Sequence, residues 1–110
     1  MSAISIDRIR ELNDAFRTSF VGGAVMITRA VEVLEPEVKS KLLEKVRSFT
    51  EFDEGDDPYS EHDFGALVVE GQKYFFKIDY YDTAMEEGSP NPSDPAVTRR
   101  VLTVMNASEY

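Results

Sequence analysis

The single histidine of the chain, His62, stands between two acidic residues in the sequence DPYSEHDFG. Carboxylates orient an imidazole ring, and a histidine with two carboxylates can bind a divalent cation or act as a general base. If this segment is a strand, Glu61 and Asp63 point to the face opposite His62, because side chains alternate along a strand. A useful partner for His62 must then come from the adjacent strand.

The residues after His62 have the pattern of a β-hairpin. Alternating side chains in Asp63–Glu70 and Lys73–Asp82 indicate two strands, and Gly71 between them suits a tight turn. One face of the second strand collects the side chains Tyr74, Phe76, Ile78 and Tyr80. We therefore expect this face to pack under helices and the other face to be partly wet.

The register of the hairpin decides what lies opposite His62. A turn at Gly71-Gln72 places Tyr81 there, and a turn at Glu70-Gly71 places Asp79 there. Both registers bring His62 close to the end of the second strand. We predict that His62 contacts that segment or an arginine from a helix, and that its side chain is at least half buried.

Two interpretations of His62 follow. In one, a metal-assisted hydrolase uses His62, Asp79 and Asp82, although three ligands are barely enough and no separate nucleophile or base is evident. In the other, His62 is a hydrogen-bonded structural residue. One histidine and no cysteine offer few of the ligands that transition metals prefer, so we predict no tight transition-metal site and no cofactor.

The negative charge of the chain is concentrated around His62. The net charge is −9, and residues 48–72 contain eight acids and no lysine or arginine. Residues 1–47 have a balance of +1 and residues 73–110 a balance of −2. Such a segment is a solvated loop, a cation site or a surface for a basic partner. Its spacing does not match the calcium loop of an EF-hand.

The composition excludes several classes of protein. The chain has 110 residues, of which 42% are hydrophobic and 30% charged, as expected for one globular domain over residues 1–110. Without cysteine there are no disulfides. The start of the chain is charged from Asp7 onward, so we expect no signal peptide, no membrane segment and a cytoplasmic location. The chain lacks clustered cations, which argues against direct nucleic-acid binding.

Two amphipathic helices are predicted in the first half of the chain. The first begins after the cap residue Ser5 and ends at Gly22-Gly23, and the second begins at Pro36. Between them Ala24–Arg29 is short, apolar and rich in β-formers, which indicates a strand. Phe49–Phe52 is a weaker candidate for a short strand.

The end of the chain predicts a third helix, which would begin at Asp94-Pro95 and carry Arg99 and Arg100 beside its apolar side. The apolar side would consist of Val97, Val101, Val104 and Met105. The two arginines could clamp an anion or pair with the acids of the hairpin. The predicted order α-β-α-(β)-β-β-α describes an α+β fold, a two-layer sandwich of a mostly antiparallel sheet and three amphipathic helices.

Five segments carry a family resemblance: Arg10–Phe16 (RELNDAF), Gly22–Arg29 (GGAVMITR), Asp57–Gly65 (DPYSEHDFG), Lys77–Asp82 (KIDYYD) and Gly88–Leu102 (GSPNPSDPAVTRRVL). Through them the chain resembles, from Ile9 to Tyr110, a bacterial family known as domain of unknown function 3768. Ser60 and Phe76 stand where the family commonly carries glycine and tryptophan. The resemblance implies an accessory protein, often carried with mobile elements, and it carries no assigned activity. The family's recurring polar residues fall on Glu61, His62, Asp63, Asp79, Tyr81, Asp82, Arg99 and Arg100.

The leading hypothesis is a small acidic protein-binding or accessory module that docks a partner with a basic surface. The contact would be formed by the hairpin and by residues 51–63, the acidic segment, whose field would speed the encounter. An extreme version is a nucleic-acid mimic that inhibits a DNA-binding enzyme. The candidate binding residues are Asp57, Tyr59, Glu61, His62, Asp63, Asp79, Tyr81, Asp82, Arg99 and Arg100. The alternative is the metal-assisted hydrolase.

Overall fold

The protein is built on a four-stranded mixed sheet. The structure is a computed structural model that describes residues 4–110, so residues 1–3 of the predicted domain lie outside the described residues. The elements in chain order are α1 (Ile6–Ser19), β1 (Gly23–Ile27), α2 (Arg29–Glu32), α3 (Pro36–Arg47), β2 (Phe64–Val69), β3 (Gln72–Tyr81) and β4 (Arg99–Asn106). Short 3-10 turns precede and follow β4, at Pro95–Val97 and Ala107–Glu109. The α+β fold class is confirmed, because the described residues form three helices and a mostly antiparallel sheet.

The strands lie in the order β1-β4-β3-β2. β4 runs parallel to β1 and antiparallel to β3, and β2 runs antiparallel to β3. The outer edges of the sheet therefore belong to β1 and β2. Because the acidic segment leads directly into β2, it lies at the edge of the sheet that is farthest from β1.

The predicted hairpin is confirmed, and its register is the one with a Glu70-Gly71 turn. Val69 pairs with Gln72, and the ladder continues to Phe64 opposite Lys77. Both turn residues have left-handed backbones, with φ of 51° at Glu70 and 76° at Gly71. Two left-handed residues give the turn a twist that matches the twist of the flanking strands, so the strands pair without splaying apart.

The core lies between one face of the sheet and the helices. Tyr74, Phe76 and Ile78 of β3 are buried as predicted, and they share the core with Phe16 of α1 and with α3. From α3, Leu42 and Val46 are fully buried. The Phe76 ring lies so close over Gly65 of β2 that a Cβ atom there would clash with it, so this position needs glycine.

The predicted C-terminal helix is wrong. Asp94 does cap the turn that follows, accepting a hydrogen bond from the Ala96 N–H at 2.9 Å. The turn ends at Val97, however, and Arg99–Asn106 is strand β4, between β1 and β3. Helical spacing of apolar residues misled the prediction, because β4 is apolar on both faces: Val101, Leu102, Val104 and Met105 are all buried. A strand buried on both faces cannot be told from a helix by periodicity.

Two smaller boundaries also differ from the prediction. Phe49–Phe52 is not a strand, because Phe49 and Phe52 pack their rings on each other and on Phe76, and no backbone ladder forms. β1 ends at Ile27, and Thr28 precedes the short helix α2, so the third helix of the fold lies there.

Candidate functional site

The acidic segment, residues 51–63, is an ordered loop held from within by Asp57. The Asp57 carboxylate is buried, with 5% of the residue exposed. One of its oxygens, Oδ1, accepts hydrogen bonds from the backbone N–H groups of Glu61 at 3.0 Å and His62 at 3.1 Å. Asp57 is one of the predicted binding residues, and in the structure its carboxylate shapes the loop. The acids Glu51, Asp53, Glu54 and Asp56 are exposed, and Asp53 Oδ1 also accepts a hydrogen bond from the Asp56 N–H at 2.8 Å.

Asn13 of α1 joins this loop to the sheet. Its side chain is fully buried and donates to the Glu61 backbone carbonyl at 2.9 Å and to the Tyr80 hydroxyl oxygen at 2.8 Å. Its own carbonyl oxygen accepts from the Arg100 Nε–H at 2.7 Å. One amide therefore fixes helix, loop and two strands with respect to each other. Buried polar groups joined in this way are costly to break.

Tyr80 and Glu61 extend the network toward the surface. The Tyr80 hydroxyl donates to Glu61 Oε1 at 2.8 Å. Burial raises the pKa of the Tyr80 phenol above its ordinary value, so the phenol stays protonated and remains a donor. Glu61 is thereby held by its backbone and by its carboxylate.

Arg99 and Arg100 were predicted beside each other on a helix, and this placement is wrong. They begin β4 and point to opposite faces of the sheet. Arg100 is buried, lies 5.2 Å from the Tyr80 ring centroid and donates to the Pro92 backbone carbonyl. Burial lowers its pKa, but the guanidinium stays charged at neutral pH. Arg99 is exposed, so the two arginines do not form one anion clamp.

His62 is more than half buried, as predicted, but its partner differs from the prediction. Its Nδ1 lies 2.9 Å from Asp14 Oδ1 on α1, and its Nε2 lies 3.9 Å from Asp57 Oδ2. Its ring stacks on Phe52, with centroids 3.8 Å apart. The reason is the backbone: φ is +58° at His62, so the chain leaves the strand geometry on which the cross-strand prediction depended.

Arg17 completes the contact between α1 and the loop. Its guanidinium pairs with Asp14 at 2.9 Å, donates to the Phe49 carbonyl at 3.1 Å and lies 5.0 Å from the Phe52 ring centroid. Its Nε is buried without a hydrogen-bond partner in residues 4–110. Asp14 therefore lies between a histidine and an arginine.

A cleft of about 440 Å³ opens beside the acidic segment. Its walls include three carboxylates, one ammonium that pairs with Asp79 at 2.9 Å, and three aromatic rings: Asp56, Asp63, Asp79, Lys77, Tyr59, Phe64 and Tyr110. Burial raises the pKa of Asp63 from 3.8 to about 6, with the charge of Glu61 as the second cause. The phenol side chains are open to solvent: Tyr59 is 69% exposed and Tyr110 is 74% exposed. The cleft has three carboxylates against one ammonium, and this surplus beside aromatic walls is suited to a cationic side chain.

The structure does not bring the three hydrolase residues together. His62 contacts Asp14 and Asp57, Asp79 pairs with Lys77 at 2.9 Å, and Asp82 accepts hydrogen bonds from the backbone of the next loop. Within residues 4–110, no three His, Cys, Asp or Glu side chains are placed to hold a metal ion. Tyr81 pairs with Arg99 across β3 and β4.

Sequence reasoning missed Asn13, Asp14 and Arg17. All three lie in α1, and Asn13 and Arg17 occupy the same buried side as Ile9 and Phe16. The signal available in the sequence was the spacing of Asn13 and Arg17. Two polar residues four apart within an apolar stripe must find buried partners.

Comparison with known proteins gives a family. The model of a family described as protein of unknown function, DUF3768, matches residues 27–109. The chain belongs to this family. No curated protein and no solved structure matches the chain significantly. Within the described residues, the DUF3768 chain has no helix with the length and apolar character needed to cross a membrane.

Proposed function

We propose that this DUF3768 protein is a protein-binding module that docks a partner through its acidic segment. The observation that carries the proposal is the combination of an ordered loop and outward charge. Glu51, Asp53, Glu54 and Asp56 are exposed, whereas Asp57 and His62 hold the same loop from inside. A loop that merely kept the protein soluble would not need a buried network to fix its shape.

Electrostatics favours a partner with a basic surface. The four exposed carboxylates lie in the only stretch of the chain with a large net charge, since residues 48–72 have a balance of −8. Such a field raises the rate of encounter with a positive surface and is weakened by salt. The adjacent cleft, with Asp63 and two exposed tyrosines, is suited to a lysine or arginine side chain from the partner.

A nucleic-acid mimic is one specific form of this proposal. The ordered carboxylates would then occupy the phosphate-binding surface of a DNA-binding protein and inhibit it, as an accessory protein of a mobile element would. Duplex DNA would compete with the chain for such a partner. The metal-assisted hydrolase remains an untested alternative, and no contact among His62, Asp79 and Asp82 favours it.

The test compares two sets of amide substitutions of equal charge. A variant with Glu51→Gln, Asp53→Asn, Glu54→Gln and Asp56→Asn neutralises the exposed acids of the loop. A control with Glu32→Gln, Glu35→Gln, Glu37→Gln and Glu44→Gln removes the same charge from exposed sites on and near α2 and α3. Asp57 is left intact because its buried carboxylate shapes the loop. The Asp53→Asn change keeps the Oδ1 acceptor for the Asp56 N–H.

The chain is used as bait in an extract of its host, the captured protein is identified by mass spectrometry, and its affinity is measured with purified components. We expect the loop variant to bind about tenfold more weakly at low salt, with a smaller effect at high salt, and the control to change little. Equal weakening by both variants would reduce the effect to net charge and overturn the proposal, as would unchanged binding by the loop variant.

A further inference from the structure

Within residues 4–110, the outer edge of β1 lacks the protection that sheet edges normally carry. β1 has the sequence GAVMI, and residues 18–28 contain no charged residue and no proline. Unpaired N–H and C=O groups at an edge recruit other strands, so natural proteins block edges with charges, prolines, bulges or a covering segment. The edge of β1 has no charge or proline to block it.

The opposite edge of the sheet, at β2, is protected. The Lys45 ammonium donates to the outward carbonyl of Val68 at 3.3 Å. An ion pair of 2.8 Å between Lys41 and Glu70 lies at the end of the same strand. The acidic segment enters β2 at its other end. The contrast shows that edge protection in this fold is selective.

The pairing of β1 with β4 shows which backbone N–H and C=O groups of β1 are free. The Thr28 N–H donates to the Val104 carbonyl at 3.1 Å. Because groups alternate along a parallel ladder, Ala24 and Met26 also face β4, and the groups of Gly23, Val25 and Ile27 point outward. A second β1 strand in antiparallel orientation presents the same groups in the complementary order.

Side chains and charge also suit a second copy of this chain. Near the edge, Met26 is 56% exposed and Val21 is 75% exposed, which is apolar surface that a partner strand would cover. β1 and the acidic segment lie at opposite edges of the sheet, so two copies paired at β1 keep their acidic segments far apart. Pairing through β2 would bring the two acidic segments together and repel.

We propose that two copies of this chain associate through their β1 edges to form one continuous sheet. The strands pair antiparallel about a two-fold axis at Val25, which is the self-complementary interface of a symmetric dimer. Gly23 of one copy then pairs with Ile27 of the other, and Ala24 with Met26 on the exposed face. The strand is short, so the dimer is weak and reversible and depends on protein concentration.

The pairing of Ala24 with Met26 allows the dimer to be tested by placing like or opposite charges at these two positions. Ala24→Lys with Met26→Lys places like charges opposite each other twice, and we expect about tenfold weaker dimerisation. Ala24→Lys with Met26→Glu changes the same two positions but creates opposite charges across the interface, so we expect dimerisation close to that of the original chain. Both positions are exposed, so neither change disturbs the core.

Sedimentation velocity of the full chain at several concentrations measures the association, and circular dichroism with thermal unfolding shows that each variant is folded. Val68→Lys at the β2 edge is the control and should leave the dimer intact. High salt should strengthen the dimer, because two copies of charge −9 repel, whereas it should weaken docking of a basic partner. A chain that stays monomeric at every concentration overturns the inference. Dissociation by Val68→Lys, or equal dissociation by both β1 variants, overturns it as well.

Discussion

Individual backbone conformations shape the acidic segment. Ser60 has φ of +57° and His62 has φ of +58°, both in the left-handed region that L-residues other than glycine seldom occupy. The loop keeps both because its contacts outweigh their strain: Arg10 donates to the Ser60 carbonyl at 3.0 Å, and Asp57 accepts from the His62 N–H. The conformation at Ser60 is one that glycine adopts without strain.

Ser60→Gly should therefore stabilise the protein. The left-handed conformation costs a non-glycine residue roughly 1–2 kcal/mol, and glycine removes this strain. The greater freedom of glycine in the unfolded chain offsets part of the resulting gain in stability. We expect the free energy of unfolding to rise by about 0.5–1 kcal/mol in urea titrations. Ser40→Gly, in the exposed interior of α3, is the control and should lower it by a similar amount. A loss of stability in Ser60→Gly would show that the Ser60 side chain has a role that its contacts do not reveal.

At the scale of elements, the contact that matters most is the set of hydrogen bonds by which Asn13 and Arg17 of α1 hold the loop and the sheet. We call this set the clamp. Asn13 binds the acidic segment through the Glu61 carbonyl, and Arg17 binds the Phe49 carbonyl just before that segment. Asn13 also binds Tyr80 and Arg100. The clamp has no apolar substitute, because each group it satisfies is a polar donor or acceptor that is buried or partly buried.

Asn13→Ala should loosen this clamp and the whole fold. The change leaves the Glu61 carbonyl and the Arg100 Nε–H without their partner, and each unsatisfied buried group costs about 1–3 kcal/mol. We expect a loss of about 2–4 kcal/mol in chemical unfolding and faster amide exchange in residues 57–62. Glu11→Ala, at an exposed neighbouring site with an exposed ion pair to Arg8, should cost under about 0.5 kcal/mol. Similar losses for the two variants would contradict the clamp.

For the whole molecule, Asp63 couples stability to pH. Its folded pKa of about 6 lies above the ordinary value of 3.8, so the folded state binds the proton more tightly than the unfolded chain does. Ionisation of Asp63 therefore costs stability. This cost is absent below pH 3.8, grows between pH 3.8 and about 6, and is fully present above that range.

Asp63→Asn should remove this pH-dependent cost. Near pH 7 we expect the variant to be more stable by about 1 kcal/mol, a value reduced for the partial exposure of the carboxyl. Near pH 4 most of the gain should be lost, since Asp63 is then almost fully protonated in the folded state and only partly ionised in the unfolded chain. Urea unfolding at both pH values measures the difference, with Glu86→Gln at an exposed site as the control. A gain that is the same at both pH values would contradict ionisation as its cause.

The sequence by itself determined the elements whose signals are local. The Ser5 cap, Pro36 at the start of α3, the alternation of β3 and the turn at Gly71 each act within a few residues, and each is found in the structure. The charge map is also independent of the fold, because it depends only on the order of residues, so the amino-acid sequence alone locates the acidic segment.

Only the tertiary structure decided the rest, because the deciding contacts are distant in the chain or ambiguous in pattern. Asp14 and His62 are 48 residues apart, and no local pattern predicts that a helix supplies the partner of that ring. β4 has apolar residues on both faces, so its identity as a strand depends on the neighbours β1 and β3 that bury it. The free edge of β1 likewise exists only because the sheet places that strand last.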